Sequence, residues 1–236
     1  MTGDGTVGST SAMGVPCVSF PTGACALTLA GCRLLLLAEH AVWDPAAKVV
    51  MVSDLHLGKE AVFRNSAIPV PDQTDSTLAR LTGVLSVTGA DRLIILGDLL
   101  HARRGRCLQM FEQVAEWRRR HAGLRIDLVR GNHDLAAGDP PANWQISCVP
   151  EPQNHSSLCL CHDPESCDGV GMAGHLHPVV RLRGPGRDSL RLPCFLLRRQ
   201  VLILPAFSRF VDGRVLRMES EDRVFAVTED RVISIN

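Results

Sequence analysis

The sequence predicts a layered α/β or α+β domain with a large sheet core, and three patterns favour that fold class. Short apolar segments of strand length recur along the chain, bounded by Gly, Pro, Asp or Asn. In the first half they alternate with two segments of helical periodicity, whereas the second half is mostly strand-like. No internal repeat is present, and no linker rich in Pro or Gly divides the chain after residue 25.

The predicted strands are rich in Val, Ile and Leu. In chain order they cover residues 34–38, 48–52, 92–96, 124–129, 158–160, 200–204, 223–227 and 231–235. The first helix is predicted over about residues 73–87, with Leu78, Leu81 and Leu85 on one face and Asp72 or Asp75 as its cap. The second is predicted over about residues 107–121, with an apolar face that includes Cys107, Met110, Phe111 and Val114.

Length and composition limit the classes of protein that fit. The chain has 236 residues, of which 45% are hydrophobic, and a mean hydropathy of +0.08, which is typical of a globular chain. No apolar segment approaches the ~18–20 residues that span a bilayer, so a membrane-spanning protein is not expected. Residues 1–24 contain no Lys or Arg and are expected to be a flexible extension, followed by a single domain over residues 25–236.

The nine cysteines are irregularly spaced, with no repeated CxxC pair. Free thiols in a reducing cytoplasm are therefore expected, and not a disulfide framework.

The formal net charge of zero hides a strong segregation of charge along the chain. Residues 101–130 contain eight arginines against three acidic residues, and residues 178–200 contain six against one, so each segment carries +5. Between them, residues 132–170 contain six acidic residues and neither Lys nor Arg, a charge of −6. This pattern is compatible with solvated faces, and equally with a metal site flanked by groups that bind a polyanion.

Five short polar motifs stand at or just after the ends of predicted strands, where α/β sheets present ligands and reacting groups. In chain order they are Asp54-Leu55-His56, Gly97-Asp98, Gly131-Asn132-His133-Asp134, His162 and Gly174-His175-Leu176-His177. They supply carboxylate, imidazole and amide donors without a thiolate, a set that suits Mn²⁺, Fe²⁺ or Zn²⁺. Seven such donors exceed the need of one ion and match two ions bridged by a carboxylate, a centre that can hydrolyse phosphate esters.

In this order, SDLH, GD, GNHD, H and GHLH resemble the motifs of the calcineurin-like metallophosphoesterase superfamily. The longer segments SDLHLGKEAVFR, ILGDLLHAR, RGNHD, AGHLHPVVR, PCFLL and LILPAFSRF resemble its bacterial branch of ligase-associated DNA damage response endonucleases. The resemblance covers about residues 25–236. The wider superfamily has a second aspartate where this chain has His101, and the branch shares the histidine. Ser208 replaces a glycine that is expected in the LPAF segment of the branch.

The resemblance implies a two-sheet β-sandwich flanked by helices, the four-layer metallophosphoesterase fold. It also implies one ion held by Asp54, His56, Asp98 and His177. The second ion would be held by Asp98, Asn132, His162 and His175, with Asp98 as the bridge. Manganese is the usual activating ion of the family, with Fe²⁺ and Zn²⁺ as alternatives.

Two histidines, His162 and His155, are candidates for the same ligand position. His162 is preferred because it follows the apolar segment 158–161 and precedes Asp163-Pro164, whereas His155 lies among Gln, Asn and Ser. A zinc knuckle of Cys159, Cys161 and His162 is a weaker interpretation, because the alternation of Leu and Cys is typical of a strand with its thiols on one face.

His133 is expected to be catalytic and not a ligand, either donating a proton to the leaving alkoxide or stabilising its charge. Asp134, or another carboxylate, would hold its protonated form.

Five arginines are expected to flank the ions and bind neighbouring phosphates. They are Arg103, Arg104, Arg106, Arg181 and Arg183.

The sequence thus indicates a two-metal phosphodiesterase. Hydrolysis of DNA as an endonuclease, and a functional association with the DNA ligase, exonuclease and helicase of a repair operon, come from the resemblance. The alternative is the same centre acting on a small phosphodiester, a nucleotide or a phosphoprotein. A non-catalytic scaffold predicts lost ligands, and a structural zinc protein predicts zinc without turnover.

Overall fold

The computed structural model describes residues 21–186 and 188–235. The extension expected at residues 1–24 therefore lies outside the described residues as far as residue 20. Within the described chain, none of the helices combines the length and the apolar character needed to cross a bilayer.

The first sheet has seven strands in the order of the sequence. They are β1 (Cys25–Leu29), β2 (Cys32–Leu37), β3 (Ala41–Asp44), β4 (Val49–Val52), β5 (Arg92–Leu96), β6 (Arg125–Val129) and β7 (Ile146–Val149). Strands β1 to β4 pair antiparallel, while β4, β5, β6 and β7 pair parallel. The parallel half aligns the carboxyl ends of its strands along one edge of the sheet.

Parallel strands need crossover connections, and the helices supply them. They are α1 (Lys59–Asn65), α2 (Thr74–Thr88), α3 (Leu108–Arg120) and α4 (Asn132–Ala137), with 3₁₀ turns at Arg103–Gly105, Ala142–Trp144 and Pro164–Ser166. Helices α2 and α3 pack side by side, and the indole N–H of Trp117 donates to Oγ1 of Thr82 across their contact, at 2.9 Å.

The second sheet contains nine strands. They are β8 (Gln153–His155), β9 (Leu158–Leu160), β10 (Gly171–Ala173), β11 (Pro178–Arg183), β12 (Ser189–Arg198), β13 (Val201–Ile203), β14 (Arg214–Val215), β15 (Arg223–Val227) and β16 (Val232–Ser234). The order is β14-β11-β12-β13-β10-β9-β8, and β15 pairs with both β12 and β16. Strands β9, β10 and β13 are parallel, so the carboxyl ends of β9 and β10 lie at one edge.

Because successive side chains of a strand point to opposite faces of the sheet, the core is divided into layers. In the first sheet, residues such as Leu35, Val50 and Ile95 face α2 and α3, whereas Leu36 and Met51 face the second sheet. The second sheet contributes a matching apolar face, which includes Leu160, Met172, Phe195, Leu202 and Phe225. The predicted two-sheet sandwich is confirmed, and its sheets pack through this shared face.

The apolar face of α2 gives a test of the helix-to-sheet layer. Leu81 is 1% exposed in that core, while Val87 on the same helix is 65% exposed. We expect Leu81→Ala to lower the free energy of unfolding by about 2–5 kcal/mol, because it leaves a cavity. The matched Val87→Ala should change it by less than about 0.5 kcal/mol. Urea denaturation followed by circular dichroism measures both, and equal midpoints would contradict the assignment of the buried face.

Candidate metal centre

The predicted site residues come together where the strand ends of the two sheets meet. Asp54 and His56 follow β4, Asp98 follows β5, and Asn132 begins α4 just after β6. From the second sheet, His162 follows β9, and the His175–His177 segment follows β10. The sandwich thus brings donor atoms from five loops to one place.

One group of donor atoms is formed by Asp54, His56 and His177, whose ligand atoms lie within 4.8 Å of one another. Nε2 of His177 lies 3.1 Å from Oδ1 of Asp54 and 3.5 Å from Nε2 of His56. Asp54 is fully buried, yet no donor among the described residues is directed at its Oδ1. A buried carboxylate oxygen without a donor is unfavourable unless a cation completes it.

A second group of donor atoms surrounds Nε2 of His162. This atom lies 3.0 Å from Oδ1 of Asn132, 3.1 Å from Nδ1 of His175 and 3.4 Å from Oδ1 of Asp98. Because Nδ1 of His162 is 3.0 Å from the Leu96 carbonyl, which can only accept, that nitrogen carries the proton. In its neutral form the ring therefore presents the lone pair of Nε2 to the group, the arrangement that orients histidine ligands in metal sites.

Asp98 lies between the two groups. Its Oδ1 faces His162, and its Oδ2 lies 3.7 Å from Nε2 of His56. The main-chain N–H of His133 donates to Oδ1 at 2.9 Å and fixes the carboxylate. Burial raises the pKa of Asp98, but contact with His162 and the charges of His56 and His133 outweigh burial and lower it below its usual range. Asp98 is therefore ionised and faces both groups.

The pKa values of His56 and His162 are shifted in opposite directions. Burial lowers the pKa of His56 to about 3, against the opposing charges of Asp54 and Asp98. His162 is also buried, which disfavours its charged form, but the hydrogen bond with Asp98 outweighs burial and raises its pKa to about 9. A cation bound at the second group would therefore displace a proton from His162.

The backbone is unusual at five of the seven predicted ligands, since each has a positive φ. The values are 57° at Asp54, 48° at His56, 55° at Asp98, 69° at His175 and 45° at His177. Left-handed backbone at non-glycine residues is costly and persists where surrounding contacts enforce it, often at functional sites. Here the main-chain N–H groups of Asp54 and His56 donate to the carbonyls of Gly97 and Asp98, at 3.0 and 2.8 Å.

The glycines of the motifs make room for the ligands. A Cβ at Gly97 would overlap the ring of His162, one at Gly131 would overlap Oδ1 of Asp98, and one at Gly174 would lie 2.6 Å from Oδ2 of Asp54. Gly97 also has a φ of 81°. Each of these three motifs thus places a glycine against a predicted ligand that another motif supplies.

The ring of His133 stands at the edge of the centre. Its Nδ1 donates to the carbonyl of His101 at 2.6 Å, since a carbonyl can only accept. The two rings stack with centroids 5.1 Å apart, and Nε2 of His133 lies 4.0 Å from Oδ2 of Asp98. The side chain of His133 is 37% exposed, so this nitrogen is open to a ligand at the centre.

Asp134 is buried and has main-chain partners. Its Oδ1 accepts from the N–H of Leu100 at 3.0 Å, and its Oδ2 accepts from the N–H of Gly131 at 3.1 Å. Burial raises the pKa of Asp134, against these hydrogen bonds. The carboxylate thus joins the loop after β5 to the start of α4, and the observed partner of the His133 ring is instead the His101 carbonyl.

The predicted arginines fall into two kinds. Arg103 and Arg104, on the 3₁₀ turn after Asp98, and Arg181 and Arg183, on β11, are exposed. Arg106 is held within the fold, because its Nη1 donates to the carbonyls of three successive residues at the end of α4, Ala137, Gly138 and Asp139, at 2.9–3.1 Å.

Sequence reasoning missed Glu151. Its Oε2 accepts from the main-chain N–H groups of His162 and Asp163, at 2.7 and 3.2 Å, and so fixes the loop that carries His162. A carboxylate that binds main chain across a turn leaves no spacing pattern in a sequence. The competitor His155 lies elsewhere, with its Nε2 2.9 Å from Oδ2 of Asp44.

The donor set fits two divalent cations. Imidazole nitrogens and carboxylate and amide oxygens converge in two groups, with Asp98 between them. Asp54 has ligand atoms within reach of both groups, and its orphaned Oδ1 lies beside His177 of the first group. Borderline divalent ions favour this mixture of nitrogen and oxygen. The thiols of Cys159 and Cys161 lie instead in an apolar cluster on the opposite face of the second sheet.

Comparisons of the sequence and of the structure with known proteins identify related proteins. Residues 47–185, more than half of the chain, match the family model of the calcineurin-like phosphoesterases. The crystal structure of nuclease MPE from Pseudomonas putida matches with a TM-score of 0.77 at 39% sequence identity, over 90% of this chain and 100% of that chain. The phosphoesterase Yfce from E. coli matches with a TM-score of 0.41 at 19% identity, over 80% and 99% of the two chains. The comparison with curated proteins gave no match.

Gly131 offers a test of the centre that substitutes none of the predicted ligands. We expect Gly131→Ala to weaken Mn²⁺ binding by at least about tenfold, because the added Cβ displaces the Asp98 carboxylate. Gly83→Ala is the matched control, since nothing lies within 4 Å of its Cβ. Isothermal titration calorimetry measures affinity, and circular dichroism checks the fold. Equal affinity in both variants would show that the position of Asp98 does not govern cation binding.

Proposed function

The chain belongs to the calcineurin-like phosphoesterase family, a family of metal-dependent hydrolases, and on that premise we propose that it hydrolyses phosphodiester bonds of DNA as an endonuclease. The observation that carries the proposal is the position of Asp98 between two groups of donor atoms, beside the open imidazole of His133. The similarity to a nuclease at 39% identity over the full length of that chain supports a nucleic acid as substrate.

We propose two Mn²⁺ ions as the cofactors, with Fe²⁺ and Zn²⁺ as alternatives. The first would be held by Asp54, His56, Asp98 and His177, and the second by Asp98, Asn132, His162 and His175. Such ions supply Lewis-acid stabilisation of the charge that develops on a phosphoryl group. The protein holds the ligands in place through the Leu96 carbonyl on His162 and the His133 N–H on Asp98.

His133 is proposed as the proton donor to the leaving alkoxide. Its Nδ1–H bond to the His101 carbonyl fixes the plane of the ring and leaves Nε2 directed toward the centre. The partial exposure of the ring allows water to return the proton after each turnover. Asp134 then acts as a positioning residue, because it fixes the main chain on both sides of this pair.

We propose that Arg103, Arg104 and Arg181 bind phosphates of the DNA on either side of the scissile one. Their exposure supports this role, because an exposed guanidinium is accessible for bidentate hydrogen bonds with phosphate. The functional association with DNA ligase, exonuclease and helicase stays a prediction from the sequence resemblance, and the cytoplasmic location stays a prediction from the irregular spacing of the cysteines.

The substrate class is tested by nicking of supercoiled plasmid in Mn²⁺. We expect the wild-type protein to nick the plasmid and to hydrolyse bis-p-nitrophenyl phosphate faster than p-nitrophenyl phosphate. Asp54→Asn should lower nicking by at least about 100-fold, because it removes a ligand charge. Asp75→Asn, at an exposed position of α2, is the control and should have no effect. Hydrolysis of the small esters with no cleavage of DNA would refute the endonuclease proposal.

The role of His133 is separable from metal binding. We expect His133→Ala to lower kcat for plasmid nicking by roughly 10²–10⁴-fold, the usual contribution of a general acid. Its manganese content, measured by inductively coupled plasma mass spectrometry, should equal that of the wild-type protein. A folded variant that loses one manganese per chain would identify His133 as a ligand.

A further inference from the structure

A polar cavity of about 430 Å³ lies between the start of α2 and the segment that follows β13. Arg80 of α2 and Arg209 line it, together with the polar side chains of Gln73, Ser76 and Thr77. None of these residues belongs to the candidate metal centre. Two arginines with neighbouring hydroxyl and amide groups are typical of a site for a phosphate group.

Arg80 is held in place by an aromatic ring. Its guanidinium lies over the ring of Phe207, with Cζ 4.1 Å from the ring centroid. Its Nε and Nη2 are buried, and neither has a hydrogen-bond partner among the described residues. Burial and the charge of Arg209 lower its pKa to about 10, against the charge of Glu39, so it stays protonated at neutral pH. A buried, charged donor without a partner is unfavourable, and an anionic ligand would complete it.

The segment beside this cavity is joined directly to the metal centre. The N–H of Phe207 donates to the carbonyl of Ser53 at 2.8 Å, and the N–H of Ser208 donates to the carbonyl of Asp54 at 3.2 Å. Arg209 follows immediately. The stacking surface for Arg80 and the ligand Asp54 are therefore held at a fixed separation by main-chain hydrogen bonds.

A second cavity, of about 270 Å³, adjoins the first. Ala38, Arg209 and Glu229 line both cavities, and His177 lines the second one. Its other walls are largely apolar, with Pro178, Leu192 and Pro205 among them. The two adjoining cavities, together called the groove, thus include a predicted metal ligand, an apolar wall and Arg80, which suit a phosphate, a nucleoside and a second phosphate of one strand.

Two acidic side chains also line the polar cavity, Glu39 and Glu229. Both are exposed, and the charge of Glu39 acts on Arg80 without a hydrogen bond to its buried Nε or Nη2. They disfavour an anion near the rim, so the buried Arg80 end of the cavity is the part that suits a phosphate.

We propose that Arg80 and Arg209 bind a phosphate of the substrate strand other than the scissile one, with the intervening nucleoside in the apolar part of the groove. This inference rests on the proposed action on DNA and adds the direction in which the strand leaves the centre. Both arginines would be positioning residues, since they contact the substrate away from the reacting phosphorus.

Steady-state cleavage of a 12-nucleotide single-stranded DNA tests the proposal. Arg80→Gln and Arg209→Gln should each raise KM for this substrate about tenfold, the effect of losing a charge-assisted hydrogen bond, with a smaller change in kcat. Arg80→Lys, which keeps the charge without the fork, should give an intermediate KM. The ratio of kcat/KM for the oligonucleotide to that for bis-p-nitrophenyl phosphate should fall about tenfold, because the small ester has no second phosphate.

Arg120→Gln is the matched control, because this arginine is on α3 with its side chain 67% exposed, and both activities should be unchanged. An equal fall in activity on both substrates would show that Arg80 is merely structural, and an unchanged KM for the oligonucleotide would overturn the proposal. Inorganic phosphate that protects the wild-type protein against heat, but not Arg80→Gln, without any change in that KM, would show an anion site unrelated to the strand and would also overturn it.

Binding of the same labelled oligonucleotide, followed by fluorescence anisotropy, keeps the two proposals distinguishable. If the wild-type protein cleaves bis-p-nitrophenyl phosphate but no oligonucleotide, the proposed endonuclease activity fails. The phosphate subsite then depends on anisotropy alone, where equal dissociation constants for the wild-type protein and Arg80→Gln would refute it, and a tenfold difference would support it.

Discussion

Two buried carboxylates with neither arginine nor lysine in their described ion-pair contacts are the constraint on which the rest of the site depends. Asp54 and Asp98 are almost completely excluded from solvent, and within the described chain their ion-pair contacts are all with histidines. Burying such charges is costly unless positive charge compensates them. Despite burial, the contact with Asp98 raises the pKa of His162 to about 9, so a proton supplies positive charge there that a divalent cation would replace. The glycines beside the carboxylates, and the left-handed backbone of the two aspartates, fix these charges where a cation can compensate them.

The sequence revealed most of this site because strand ends are visible in it. The segment 92–96 was predicted as a strand and coincides with β5, which places Asp98 at its end. Other elements of the fold have no recognisable pattern in the local sequence. Helix α4 has six residues, too few for a helical period, and β12 carries Arg191 and Pro193 within its ten residues. Contacts such as Glu151 with the N–H of His162 form only in the folded chain, because they join segments with no shared periodicity.

Main-chain groups, more than side chains, orient the histidines of the candidate site. The Leu96 carbonyl sets the tautomer of His162, and the His101 carbonyl sets that of His133. The partner expected for His133 from the sequence is a carboxylate, either Asp134 or another. In the structure, both carboxylate oxygens of Asp134 accept hydrogen bonds from main-chain N–H groups instead. His101 therefore contacts the ring of His133 in two ways. Its own ring stacks on that ring, and its carbonyl accepts a hydrogen bond from Nδ1 of His133.

Helix α4 is fastened at both of its ends. Asp134 accepts hydrogen bonds from main-chain N–H groups at its beginning, and Arg106 donates to three carbonyls at its end, so both ends of this short helix are fixed to neighbouring segments. Asn132 and His133 are adjacent residues of the helix. In the proposed reaction, a shift of the helix that adapts the amide of Asn132 to a cation of different radius would also move the imidazole of His133. Cations of similar chemistry would then support different rates of turnover.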